Sequence, residues 1–327
     1  MSPNFFKLFV GTILALMVSL CLFPAFGEEG SSVEPEILSM TFTKNDQVLT
    51  VQSVKPVYEA DEIYTAAFER DEEMFDAMLD ELLVKQYPTV EKINDLCWMG
   101  YIDGKLQASL GYSSLWSVNY INVANDMNGI LQEEDHLFDD GYITTNQPEM
   151  CTLTPENAGK MAVAFSTEWS QDLTFYVNRI LSVIDEDRGC YMVNARAKFA
   201  GRPITTFAKA YSIAPQIDFH ISDDGIFEFQ GLFLLKEQSR ASVNLIAAED
   251  VMKNLGASFV AYSTLSDICI NEVTLDYCME TSDNVHFSVR PVWCFDGTGI
   301  NANDGLSHGI AFVYYADNGE FNGAYLH

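Results

Sequence analysis

Histidine and positive charge are both scarce in this sequence. Five histidines in 327 residues leave few candidates for an imidazole-based active site. Against 47 Asp plus Glu there are 18 Lys plus Arg, a formal net charge of −29. Such a surface repels nucleic acid and anionic polymers and favours cations or basic partners, although solubility outside the cell is the simpler reason for it. No Cys-x-x-Cys pair occurs, which argues against a zinc ribbon or a thioredoxin-like redox site. Disorder is excluded from the other direction, because 48% of the residues are hydrophobic and 13% aromatic, enough to bury a sizeable core.

What is present begins with an export signal. Lys7 precedes a charge-free run over 8–26, and Glu28 and Glu29 follow. Pro24 breaks the apolar helix, and Ala25 and Gly27 place small residues three and one before a cleavage point at Glu28, giving a signal peptide over 1–27. The competing readings are an uncleaved anchor, since roughly 18 apolar residues span a bilayer, and a lipoprotein, for which Leu20 is too bulky before Cys21. Cleavage removes one Lys and leaves 17 cations against 47 acids, a mature charge of −30. It also leaves Cys97, Cys151, Cys190, Cys269, Cys278 and Cys294, an even number that permits disulfides but is too widely spaced to form the main framework.

Three regions follow the signal: 28–150, 151–240 and 241–327. In the first, a polar tether over 28–36 leads to a hairpin of 37–42 and 48–51 around Lys44, Asn45 and Asp46. Met74, Phe75, Met78, Leu79, Leu82 and Leu83 recur at helical spacing over 70–84, with Asp71, Glu72 and Glu73 in the first turn, where the helix dipole favours them. Two strands flank an Asp103-Gly104 turn. The stretch 113–142 reads poorly. Glu133, Glu134, Asp135, His136, Asp139 and Asp140 within it carry metal-compatible atoms without a ligand spacing, so a solvated acidic loop is the simpler account.

The second region opens with a helix capped by Thr154, with Pro155 first and Ala158, Met161, Ala162 and Phe165 as its buried stripe. Alternating strands follow: 191–199, a turn at Gly201, a return from Ile204, then 217–221, a turn at Asp223-Asp224-Gly225, and 226–235. The third region repeats this order. Ala247, Val251, Leu255 and Phe259 are four apart on one helix face. Val273, Leu275, Tyr277 and Met279 alternate, as do Val285, Phe287, Val289, Trp293 and Phe295. A turn through 280–284 pairs Tyr277 with Phe287 and Leu275 with Val289. Ile268 and Ile270 are out of phase with Val273, so a bulge is expected near Asn271 and Glu272. That bulge brings Cys269 opposite Cys294, and a cross-strand disulfide is the expectation, the alternative being two buried thiols. Two last strands join through Asp317-Asn318-Gly319.

The helix-then-hairpin unit, carried by residues 246–251, 270–277 and the run Arg290-Pro291-Val292-Trp293, resembles the PepSY-like domains of extracytoplasmic bacterial proteins. It is similar in particular to two-lobed YycH/YycI-type proteins and related uncharacterised clostridial lipoproteins. The run 191–204 and the turn 221–226 resemble the preceding lobe of those proteins. The resemblance implies an α+β fold of two lobes, each a helix packed on an antiparallel sheet, and a non-enzymatic, protein-binding role at the cell envelope. It carries over no functional residue.

Catalytic patterns are weak. Gly305-Leu306-Ser307-His308-Gly309 fits Gly-x-Ser-x-Gly, but a nucleophile elbow needs a strand before it and a helix after it, and here a loop precedes and a strand follows. A Cys278–His286 pair across a sheet would lack an oxyanion hole and an orienting third group. Residues 296–299 and 301–305 hold calcium-friendly oxygens in a failed EF-hand register and read as turn-forming loop. No catalytic, cofactor-binding or metal-ligating residue is assigned. The expectation is an exported binding or regulatory protein whose partner is another envelope or secreted protein, with no nucleic acid and with membrane contact only if the first segment is retained. The alternative is a secreted hydrolase of envelope polymers using acidic residues.

Overall fold

The computed structural model of the protein describes residues 37–44, 47–54, 62–113, 117–123, 130–131, 151–185, 188–205, 215–253, 255, 265–301 and 304–326. Hydrophobic alternation produces most of it. Strands β1 (Ile37–Lys44) and β2 (Gln47–Val54) form the expected hairpin, paired from Ile37 with Val54 to Lys44 with Gln47. After β3 (Tyr64–Arg70), Asp71 caps helix α1 (Glu72–Leu79) by accepting the Met74 N–H at 2.9 Å. The helix runs on as a π-turn over Asp80–Val84. Phe75, Met78 and Leu83 are buried, each worth about 1.5–3 kcal/mol of apolar transfer.

Strands β4 (Thr89–Asn94), β5 (Cys97–Ile102), β6 (Lys105–Tyr112), β7 (Val118–Asn122) and β8 (Ile130–Leu131) follow. The β5–β6 turn has Asp103 and Gly104 at φ 50° and 74°, the two left-handed positions an Asp-Gly hairpin turn supplies. Helix α2 (Pro155–Trp169) has the expected Thr154 cap. Then come β9 (Thr174–Asp185), β10 (Arg188–Phe199), β11 (Arg202–Pro203), β12 (Gln216–Ser222), β13 (Gly225–Leu232) and β14 (Leu235–Ser242). The chain closes with the short helix α3 (Ala248–Met252), β15 (Leu265–Thr281), β16 (His286–Asn301), β17 (Ser307–Tyr315) and β18 (Phe321–Leu326).

The expected fold class, two lobes each made of a helix on its own sheet, is overturned. The described chain is mostly strand and builds two large sheets. The ten-stranded sheet runs β4-β5-β6-β7-β13-β12-β10-β9-β8, with β11 on β10. The eight-stranded sheet runs β1-β2-β15-β16-β17-β18, and β3 joins β14 to β16. Both sheets therefore draw strands from either side of residue 150. Local periodicity cannot reveal such pairing, because it reports which face of a strand is buried and not which distant strand lies beside it.

Helices α1 and α2 cover one face of the ten-stranded sheet. Phe75 of α1 stacks on Tyr112 with ring centroids 4.3 Å apart, and Phe165 of α2 meets Phe219 and Phe229 at 5.8 and 5.0 Å. In the third region the expected helix of Ala247, Val251, Leu255 and Phe259 is described only in part, with Ala248, Val251 and Met252 buried. Helix α3 spans five residues, with Leu255 helical and buried beyond it, and 254 and 256–264 lie outside the described residues. One hydrophobic core spans both sheets. They meet edge to edge where Ile204 bridges Tyr277 in parallel and the Thr205 N–H donates to the Tyr277 carbonyl at 2.7 Å.

Candidate functional site

The β15–β16 hairpin places the two cysteines of the expected disulfide apart. A bulge falls between Ile270 and Glu272 as anticipated, and a second lies between Ser266 and Cys269. The turn, however, sits further along than the alternation suggested. Leu275 faces Trp293 and Tyr277 faces Pro291, so Cys269 lies opposite Thr298 and Cys294 opposite Thr274. Thr298 is four residues beyond Cys294, roughly 13 Å at about 3.3 Å per residue, whereas a disulfide needs Cα atoms within about 7 Å. The turn is set by side chains. Asp283 accepts the Val285 and His286 N–H groups at 2.9 and 2.8 Å, and Thr281 Oγ1 accepts that of Asn284 at 2.9 Å. These bonds hold the Asp283 carboxyl well below the usual carboxylate range.

The other patterns fall away singly. His286 is exposed and ion-paired with Asp283 at 2.7 Å, and its strand partner is Glu69, while Cys278 faces Arg290. Ser307 opens strand β17, and His308 bonds Asp304 at 2.9 Å. Residues 296–299, expected as a loop, lie inside strand β16. Asp223 accepts the N–H groups of Thr152 and Leu153 at 2.9 and 2.7 Å, fixing the approach to α2. The acidic group at 132–140 lies outside the described residues. Among the described residues no cluster of three or more His, Cys, Asp or Glu could hold a metal ion.

Two arrangements were invisible to local pattern. The first is the face of the ten-stranded sheet away from α1 and α2. Paired positions line up across eight strands as Glu91, Met99, Ser109, Ile121, Glu228, His220, Met192 and Leu181. The polar groups here are tied to each other. His220 Nδ1 and Glu228 Oε2 are 2.7 Å apart, and Gln230 donates to Glu228 Oε1 at 2.7 Å. Asn178 donates to Asn194 at 3.0 Å, and Asn194 to Asp218 at 2.7 Å. The bond from His220 keeps the Glu228 carboxyl below its ordinary range despite burial.

The second continues that face across the seam onto the hairpin. Pro203 pairs with Lys198, and Ile204 bridges Tyr277. Strand alternation therefore puts Arg196, Lys198, Pro203 and Thr205 on the same side as Asp276, Cys278 and Cys294. Asp276 is half-buried, and desolvation pushes its carboxyl up to about 6 although Thr274 donates to it at 3.1 Å. Burial likewise raises Cys278 to about 12 and Cys294 well above the ordinary thiol range, the opposite of an activated nucleophile. Further along, Arg290 pairs with Asp317 at 2.8 Å and lies 3.8 Å over the Tyr315 ring, whose hydroxyl donates to Glu280.

No family model matches the sequence, and no curated protein matches it. Among solved structures, an uncharacterised protein from Eubacterium rectale is similar in fold, with a TM-score of 0.53 at 14% identity over 87% of this chain and 93% of that one. The Bacillus megaterium YpeB C-terminal domain aligns over 79% of this chain and 98% of its own at 14% identity, with a TM-score of 0.29.

Proposed function

We propose that the protein is an exported, non-enzymatic binding protein of the cell envelope that engages another envelope or secreted protein through the polar part of the ten-stranded sheet's face away from α1 and α2. The observation that carries this reading is two groups of bonded polar side chains on that face, Asn178, Asn194 and Asp218, and His220, Glu228 and Gln230. Holding half-exposed groups in place before contact lowers the ordering cost of an interface. The prominent acids act as cap, turn and ion-pair residues: Asp71, Asp223, Asp283, Asp304 and Asp317 each have a structural partner. That is poor material for a hydrolase, which needs two carboxyls flanking one bond. The likeness of 246–251, 270–277 and 290–293 to PepSY-like proteins supports the extracytoplasmic setting.

The test is a photo-crosslinking amino acid placed in the exported protein in its own cells, at the exposed Gln230 on this face or at Lys160 on α2. Capture of one protein species from position 230 and not from 160 is the expected result. Equal labelling from both, or none from 230, overturns the reading.

A further inference from the structure

Cations are scarce in this chain, yet two of them sit side by side at the seam between the sheets. Arg196 and Lys198 alternate along the same face of β10, and both reach Tyr176 on β9. Arg196 lies directly across from Tyr176, and Lys198 Nζ lies 4.7 Å from the centre of its ring. Arg196 Nε is buried and makes no hydrogen bond. A guanidinium N–H removed from water without an acceptor is unfavourable by about the desolvation of one polar group, so the site holds a donor ready for an acceptor that none of the described residues provides.

We propose that this seam is an oxyanion subsite in which Arg196 and Lys198, flanking Tyr176, take one Glu or Asp carboxylate from an otherwise uncharged segment of the partner protein. The inference rests on the binding reading above and names the chemistry of the anchor. A carboxylate on a peptide fits better than a phosphate polymer for two reasons. The net charge of −29 repels a chain carrying a charge at every repeat. The neighbours of Arg196 and Lys198 on this face, Asn178, Asn194 and Gln216, suit the amide groups that flank a carboxylate in a peptide.

The test uses the full mature chain, Arg Nε–H resonances, and three probes: a short blocked peptide containing one Glu, the same peptide with Gln, and inorganic phosphate. The expected result is a saturable shift of the Arg196 Nε–H with the Glu peptide and none with the Gln peptide. Arg196→Gln and Lys198→Gln should each weaken binding about ten-fold or more, with Lys160→Gln on α2 unchanged. Phosphate acting as well as the Glu peptide would reassign the subsite to phosphate and overturn the peptide carboxylate. No shift with any probe overturns the subsite altogether. The two readings fail separately: a partner captured from position 230 that binds R196Q as tightly as the parent sinks the subsite alone, and Glu-peptide binding with no captured partner sinks the binding-protein reading alone.

Discussion

The backbone N–H of Thr205 donates to the carbonyl of Tyr277 at 2.7 Å, and that bond makes the outer faces of the two sheets one surface. It also seals the hairpin's edge beside Asp276, a half-buried carboxyl whose pKa is raised by burial.

Asp276 supplies the first prediction. Its folded pKa is about 6 and its unfolded value about 3.9. Between these values the folded state binds the extra proton, so this group's contribution falls as pH rises from about 4 to 6 and stays lost above that. Asp276→Asn removes the charge while keeping an acceptor for Thr274. The variant should match the parent near pH 4 and exceed it by on the order of 2–3 kcal/mol at pH 7, read from urea midpoints. A difference that does not change with pH would show that Asp276 is not the titrating group.

Asp223 works in the opposite sense. Its carboxyl is held below the usual range by the Thr152 and Leu153 N–H groups. The stabilisation is complete above about pH 4 and is lost as pH falls below it. Because the group is exposed, Asp223→Ala should destabilise by only about 1 kcal/mol at neutral pH, and hydrogen exchange of the Thr152 and Leu153 amides should accelerate. Unchanged exchange at those two amides would remove the clamp.

How far the sequence reveals this molecule can be seen residue by residue. The Thr154 cap, the Asp103-Gly104 turn and the alternation of Tyr191, Val193, Ala195, Ala197 and Phe199 are local signals, and the structure repeats them. Glu228 opposite Ile121, or Tyr64 opposite Ser242, cannot be read from any window, because the partners lie more than a hundred residues away. The hairpin of β15 and β16 is the intermediate case. Its side-chain faces were legible because a shift of four in paired numbers preserves parity, but the register was not, because Thr281 and Asp283 move the turn outward. The polar row and the seam belong to the non-local class, and neither has a motif.

Gly297 tests the bulged part of that hairpin. A Cβ at this position would lie 1.9 Å from the Cys269 carbonyl oxygen and 2.7 Å from the Ile270 Cα, both backbone atoms that cannot rotate away. Gly297→Ala should therefore cost 3 kcal/mol or about that much, visible as a lowered thermal midpoint. Gly104→Ala, with open space around it but a φ of 74°, should cost about 1 kcal/mol. Equal losses at the two sites would mean that the bulge does not bring the strands as close as described.

The register itself is testable by chemistry. Thr274 is the direct partner of Cys294, so Thr274→Cys places two sulfurs across one rung, within the Cα separation a disulfide requires. The burial that raises the Cys294 pKa leaves almost no thiolate in the folded protein, and the thiolate is the attacking species. The new bridge should therefore form when the variant is refolded under oxidising conditions and not when oxidant is added to protein already folded and reduced. Peptide mapping of the refolded variant should recover a fragment joining positions 274 and 294, lighter by two hydrogens than its parts. A fragment joining Cys269 to Cys294 in the parent would instead restore the register expected from alternation alone and displace the one set by Thr281 and Asp283.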